Sequence, residues 1–135
     1  AWSSFYTMAY KETLQKKSVS QLKAIAVRHF HKFIRTRDKD LPCISCGKYT
    51  TLQAGHFYSA SNSSVRFCID NVNGQCKKCN YFLSGNLLPY RENLIKKIGQ
   101  ERFDKITLNV EMSKKFGFKW SRLFLIETIL KYKGL

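Results

Sequence analysis

Acidic residues are scarce: nine Asp and Glu stand against 24 Lys and Arg, a net charge of +15 over 135 residues. Self-repulsion on that scale disfavours a compact state unless a polyanion relieves it. It argues against a generic metabolic enzyme and for a nucleic-acid partner. Long apolar runs are missing too. The longest, Ala24–Val27 and Leu123–Ile126, have four residues, far from the roughly 20 that carry a helix across a bilayer. The opening residues, Ala1 to Tyr6, have neither the basic start nor the apolar stretch of a signal peptide. Without an initiator Met, the expectation is a fragment or a processed form. No internal repeat or low-complexity tract stands out. What is plentiful is apolar side chain, 44% of residues. That argues against wholesale disorder and supports one domain with a real core.

The five cysteines sit at positions 43, 46, 68, 76 and 79. An odd count in two Cys-x-x-Cys pairs speaks for a reducing compartment and a metal rather than a disulfide scaffold. Each pair suits a tight turn that points two thiolates at one centre, and two turns complete a tetrahedron. Cys43, Cys46, Cys76 and Cys79 are thus the expected ligands of one structural Zn²⁺. The 29 residues between the pairs exceed the usual ribbon spacer of roughly 15–20, so the spacer carries something. Cys68 has no spacing partner and is expected to be a packed thiol.

Ser18 and Gln21 have capping-box spacing. The apolar positions that follow, Leu22, Ile25, Ala26, Phe30, Phe33 and Ile34, predict a helix over 19–36. Residues 1–17 give no clear signal. Leu52–Tyr58 and Val65–Ile69 flank a polar loop and read as the two strands of a hairpin. A short helix is expected from Cys76 to Gly85. Further helices are expected from Pro89 to Gly99, over 100–107 and over 119–133.

The spacer places an imidazole at His56 on the first strand, an amide at Asn71 after the second, and another at Asn80 directly after the last Cys. Phosphodiester hydrolysis can use such parts. A neutral His takes a proton from water near pH 7. A hard cation neutralises the charge that develops at phosphorus and on the leaving oxygen. An Asn beside the His can fix the loop that orients it.

Cys-x-x-Cys, then Gly55-His56-Phe57, Asp70-Asn71 and Cys-x-x-Cys-Asn resembles an HNH, or ββα-metal, nuclease with a structural zinc. The resemblance narrows further. Phe33-Ile34-Arg35 through Asp40-Leu41-Pro42-Cys43-Ile44-Ser45-Cys46-Gly47, Ala54-Gly55-His56, Arg66-Phe67, Gln75-Cys76, Cys79-Asn80, Ser84-Gly85-Asn86-Leu87, Pro89-Tyr90-Arg91 and Ile98-Gly99-Gln100-Glu101 are similar to the NinG, or Rap, recombination proteins of lambdoid phages. The similarity runs over residues 20–107. It implies a structure-specific endonuclease acting on branched double-stranded DNA, such as Holliday junctions and D-loops, in the cytoplasm of a bacterial host. By the same resemblance His56 is the general base, Asn71 the middle residue of the motif, and Asn80 a holder of a catalytic Mg²⁺ or Mn²⁺. Gly55 stands where HNH proteins often carry a metal ligand, which leaves Asp70 as the nearest candidate for a second one.

The implied fold is α+β: a zinc-stabilised, HNH-like ββα-metal core with a short β-hairpin, embedded in N- and C-terminal helices. It is expected as one domain, with a lead-in and basic helix over 1–42, the core over 43–86 and a helical region over 87–135. Arg28, Lys32 and Arg35 form one basic stripe; Lys77 and Lys78, with Lys96 and Lys97, lie beside and after the motif. These, with Arg66, are the candidate DNA contacts. They would track phosphates without a sequence code. The last helix is apolar over more than one narrow face, which points to a homodimer contact. Two other readings fit the same composition: a non-catalytic zinc module that binds branched DNA, and a zinc-ribbon RNA-binding protein.

Overall fold

The computed structural model describes residues 4–134. In chain order the elements are α1 (Ser4–Gln15), α2 (Val19–Arg37), β1 (Leu52–His56), β2 (Val72–Cys76), α3 (Leu87–Ile98), α4 (Gln100–Phe116) and α5 (Arg122–Lys133). Among the described residues the chain is mostly helical and has one two-stranded antiparallel sheet. It divides into two compact units. One is built from residues up to Phe33 and from Lys119 onward; the other is Ile34–Phe118.

In the first unit the capping box forms as its spacing predicts. Gln21 N–H donates to Ser18 Oγ (3.1 Å), and Ser18 N–H donates to Gln21 Oε1 (2.9 Å). Two orphan donors at the start of α2 are thereby satisfied. α1 forms where the sequence gave no clear signal, and it packs on α5. Phe30 and Phe33 of α2 meet Tyr132 of α5 at ring separations of 5.0 and 4.9 Å. Ser121 caps α5 by accepting from Phe124 N–H. Leu125, Ile126 and Ile129 of α5 are buried, whereas Leu123 and Phe124 stay exposed.

The second unit holds the sheet and corrects one expectation. β1 pairs with Val72–Cys76, in the register Leu52↔Cys76 through His56↔Val72. It does not pair with Val65–Ile69, which instead forms a 3₁₀ turn and irregular chain. Alternating apolar residues made 65–69 look strand-like. Only Val65 is inserted fully, against Ile106 and Val110, with Tyr58 and Cys68 at the margin. Val-Asn-Gly-Gln-Cys looks too polar for a strand, yet all five residues of β2 are buried. The Asn73 amide and the Gln75 amide nitrogen find partners within the unit, as burial of amides requires, while Gln75 Oε1 is buried without one. The outer edge of β2 is also covered. Gly74 N–H donates to the Asp38 carboxylate (2.8 Å), and Gly74 C=O accepts from Ile44 N–H (3.0 Å).

The helix expected over Cys76–Gly85 is a single π turn, Lys78–Phe82. It gives way to three residues at positive φ: Ser84, Gly85 and Asn86. α3 ends before Gly99 as expected. α4 continues nine residues past the expected end at 107, to Phe116. Tyr90, Leu94 and Phe103 form the core between α3 and α4, with Phe57 and Ile44 packed against it.

Candidate functional site

Two turns bring four thiols together. After Cys43 the chain reverses, with Gly47 N–H donating to Cys43 C=O and Cys43 N–H to Lys48 C=O, both at 2.9 Å. Gly47 takes φ +77°, open to glycine at no steric cost. The second pair spans the end of β2 and the π turn. The Sγ atoms of Cys43, Cys46, Cys76 and Cys79 all lie within 4.8 Å of one another. Among the described residues no other group of three or more His, Cys, Asp or Glu is placed to hold an ion.

The surroundings of the cluster suit thiolates. Cys76 N–H points at Cys43 Sγ (3.3 Å), Cys79 N–H at Cys76 Sγ (3.5 Å) and the Asn86 amide at Cys79 Sγ (3.4 Å). Burial pushes the Cys43 thiol up, but backbone N–H groups around it outweigh burial and bring it to about 7. Burial drives Cys79 the other way, up to about 12, against the Asn86 hydrogen bond and with neighbouring thiols adding to the rise. Four crowded thiols cannot all ionise alone, and a bound cation is what would let them. The donor set fits a divalent, thiophilic ion in tetrahedral coordination.

At the opposite end of the ladder, His56 closes β1. The backbone on both sides of it is held. The buried Tyr90 hydroxyl donates to Gly55 C=O at 2.7 Å and accepts from the Asn73 amide at 3.2 Å. Asn71, fully buried, clasps the residues that follow. Its carbonyl accepts from Phe57 N–H at 2.9 Å. Its side chain accepts from Tyr58 N–H (2.9 Å) and donates to Tyr58 C=O (3.0 Å). Phe57 lies between Tyr90 and Phe103, each ring 5.4 Å away. The Tyr58 hydroxyl bonds Thr107 (2.7 Å).

Gly55 has a structural reason. A Cβ there would stand 2.1 Å from Oε1 and 2.7 Å from Cβ of Gln75. Gln75 is itself pinned, donating to Ser45 Oγ (2.8 Å) and Gly85 C=O (2.5 Å). The position before His56 therefore has no room for a metal-ligating side chain.

Other expected site residues make contacts of their own. Both oxygens of Asp70 are engaged by Arg102, Nε at 3.0 Å and Nη2 on the second oxygen. The Asn80 amide donates to Gln53 Oε1 at 2.9 Å. Gln53 and His56 are three apart on β1 and project from opposite faces. Lys97 donates to Asn73 Oδ1 (2.7 Å) and approaches Asp38 (3.5 Å). Arg66 donates to Ala60 C=O within the 57–71 loop. Lys77 and Lys78 are exposed and line a cleft of about 700 Å³ beside the thiols. Arg35 and Lys96 are exposed in the same unit, Arg28 and Lys32 in the other.

Reading the sequence missed three contributors. Asp38 is 2% exposed and joins Arg37, Lys97 and the edge of β2. The hydroxyl of Tyr90 was not foreseen beside the His strand, since only tertiary packing brings it there. Lys48 lines the cleft with Lys77 and Lys78; its place directly after Gly47 of the first thiol turn was the available signal.

A strongly basic, mostly helical chain whose antiparallel hairpin ends beside four clustered cysteines that could hold a metal ion defines the class. Within that class, the chain belongs to the bacteriophage lambda NinG family, whose family model matches residues 8–134. It is 52% identical over 80 residues to Protein ninG of Escherichia phage lambda, covering 57% of this chain and 39% of that one. The identity to Protein ninG of Escherichia phage 933W is also 52% over 80 residues, covering 57% and 40%. To Protein ninG of Salmonella phage P22 it is 51% over 77 residues, covering 55% and 38%. The matched stretch thus spans about two fifths of the length of these curated relatives. No solved structure matches the chain. No described helix is long and apolar enough to cross a membrane.

Proposed function

We propose that this chain is a zinc-fastened endonuclease of the HNH, or ββα-metal, kind that cuts branched double-stranded DNA, Holliday junctions and D-loops among them. The supporting observation is the fixed backbone around His56: Gly55 C=O is held by Tyr90, while Phe57 and Tyr58 are held by Asn71. A general base needs a set orientation toward its water, and these bonds supply it from both sides. Asn71 acts here as a positioning residue.

In the proposed reaction His56 takes a proton from water as the water oxygen bonds to phosphorus. The bond from phosphorus to the 3′ oxygen breaks, and that oxygen leaves to be protonated by solvent. Mg²⁺ or Mn²⁺, when bound, would supply charge neutralisation at the phosphate. With Asp70 engaged by Arg102 and no room at Gly55, such an ion would depend chiefly on water and phosphate oxygens, as Mg²⁺ commonly does. Zinc belongs to the thiol cluster and has a fastening role. DNA affinity comes from exposed cations, with Arg28, Lys32, Arg35, Lys77, Lys78 and Lys96 as phosphate contacts. Lys97 and Arg66 act in the protein's own hydrogen bonding.

A non-catalytic branched-DNA-binding module is the second reading, favoured by the engagement of Asp70. Nicking of four-way junctions by zinc-loaded protein, with Mg²⁺, Mn²⁺ or EDTA, separates the two. His56→Ala should abolish nicking, roughly 10²–10⁴-fold for loss of a base, with junction affinity kept within a few-fold. Parent protein that binds junctions and cuts none with any divalent ion establishes the binding module instead.

A further inference from the structure

The turn that follows Cys79 carries a surface the nuclease reading does not use. Tyr81 and Phe82, consecutive in the chain, are 71% and 67% exposed, two of the large apolar side chains that the protein leaves uncovered. Their rings meet edge to face at 5.0 Å, and the Lys77 ammonium stands 6.0 Å from the Phe82 ring centre. The turn is built rather than slack. Leu83 N–H donates to Lys78 C=O and Gly85 N–H to Cys79 C=O, both at 2.8 Å. Ser84 and Asn86 hold φ of +51° and +42°, a region that side chains other than glycine adopt at a cost. The Asn86 amide ties the segment to Cys79. Two aromatic rings are thus presented to solvent on a support anchored to the thiol cluster.

Beside them runs a cationic path. The cleft of about 700 Å³ is lined by Lys48, Lys77 and Lys78 with Thr50, Thr51 and Gln53, and Leu83 of the aromatic turn is also in its wall. A second cleft, about 450 Å³, shares Thr50 and Thr51 and adds Arg35 and Lys39. Five cations line the two clefts, and no Asp or Glu lines either. That combination, aromatic faces next to a basic groove with hydroxyl and amide groups, is the chemistry that binds single-stranded nucleic acid.

We propose that Tyr81 and Phe82 are a stacking platform for unpaired nucleotides, whose phosphates lie along the Lys48, Lys77 and Lys78 cleft. Every base offers a π face, so such a platform reads strand separation rather than sequence. The unpaired nucleotides of a branch or gap are its substrate feature. The proposal rests on the DNA-binding part of the function proposed above and is independent of the cleavage step.

The test is fluorescence anisotropy with zinc-loaded full chain and two labelled DNAs of equal length, one fully paired and one with a short single-stranded gap. Tyr81→Ala with Phe82→Ala should weaken gapped DNA by roughly 5- to 100-fold, the range for lost base stacking. Fully paired DNA should stay within about two-fold. Phe82→Tyr, which keeps the ring, should bind as the parent does. Lys48→Ala, Lys77→Ala and Lys78→Ala combined should weaken both DNAs and lower the salt slope by about 2–3. A 2-aminopurine in the gap should change emission on binding the parent and not on binding the double variant. Zinc content and far-ultraviolet circular dichroism of each variant verify the fold. Equal loss on both DNAs, or none on either, overturns the platform while leaving DNA binding intact. So does self-association of the parent that the double variant abolishes, since the rings would then belong to a second copy. A parent that binds neither DNA overturns the underlying reading as well.

Discussion

Asp38 tests whether the sheet is held from its edge. Its carboxylate accepts from Gly74 N–H at 2.8 Å, and from Arg37 Nε at 2.8 Å and Nη2 at 2.9 Å. Asp38→Ala leaves Gly74 N–H buried without its acceptor, a loss of about 1–3 kcal/mol. Breaking a buried charge pair costs about 3–5 kcal/mol. Arg37 softens that loss, because it is partly exposed and still donates to Ile69 C=O and Val72 C=O. We therefore expect about 3 kcal/mol for Asp38→Ala and about 1–2 kcal/mol for Asp38→Asn, which keeps an acceptor. Urea unfolding of zinc-loaded protein at pH 7 measures both. The pH dependence follows from the direction of the shift. Burial pushes the Asp38 carboxyl up, but Arg37, Gly74 N–H and Lys97 outweigh it and hold it below the usual value. A depressed carboxyl contributes stability that is complete above its unfolded value, about 3.9, and is lost only as pH falls through the lower folded value. The difference between parent and Asp38→Asn should accordingly be constant from pH 8 to about pH 4. A cost under 1 kcal/mol for Asp38→Ala, or a difference that fades between pH 7 and 5, would refute the edge-clamp argument.

Purified protein should carry about one zinc per chain; Cys43→Ser should lose it and unfold the Ile34–Phe118 unit, whereas Cys68→Ala should retain it, as metal analysis and circular dichroism will report. Gly55→Ala should cost about 1–3 kcal/mol by overpacking against Gln75, and a neutral result in urea unfolding would show that Gln75 can move. Asn80→Ala should cost about 1 kcal/mol for its bond to Gln53. Any loss of nicking in that variant should not be recovered by high Mg²⁺ or Mn²⁺; recovery would return Asn80 to the metal.

Local signals in the sequence carried well where the residues that cause a feature are neighbours. The Ser18–Gln21 box, the stop at Gly99 and the paired Cys turns each depend on a few consecutive residues, and each formed as read. The second strand did not, because its cause is distant. Asn73 and Gln75 can sit in a buried strand only because Tyr90, Lys97, Ser45 and Gly85 supply their partners. Alternation at 65–69 was the stronger local pattern, but residues Ser59 to Asn71 fold around the Asn71 amide instead. Lys97 and Arg66 illustrate the same limit. A cation in sequence is a candidate phosphate contact until an internal acceptor is found for it.

The register of the sheet decides how the two halves of the site relate. Leu52 faces Cys76 at one end of the ladder, and His56 faces Val72 at the other. Four steps of antiparallel strand separate them, roughly 13 Å at about 3.4 Å per residue. The thiol cluster therefore fastens the far end of the strand that carries His56 and stands apart from the imidazole. At the His56 end, position is set by Tyr90 and Asn71. Losing zinc should act on cleavage only through the fold, so nicking and hairpin structure should decline together as zinc is withdrawn. Nicking that fails while circular dichroism and urea stability are unchanged would put the thiol-bound ion in the reaction itself.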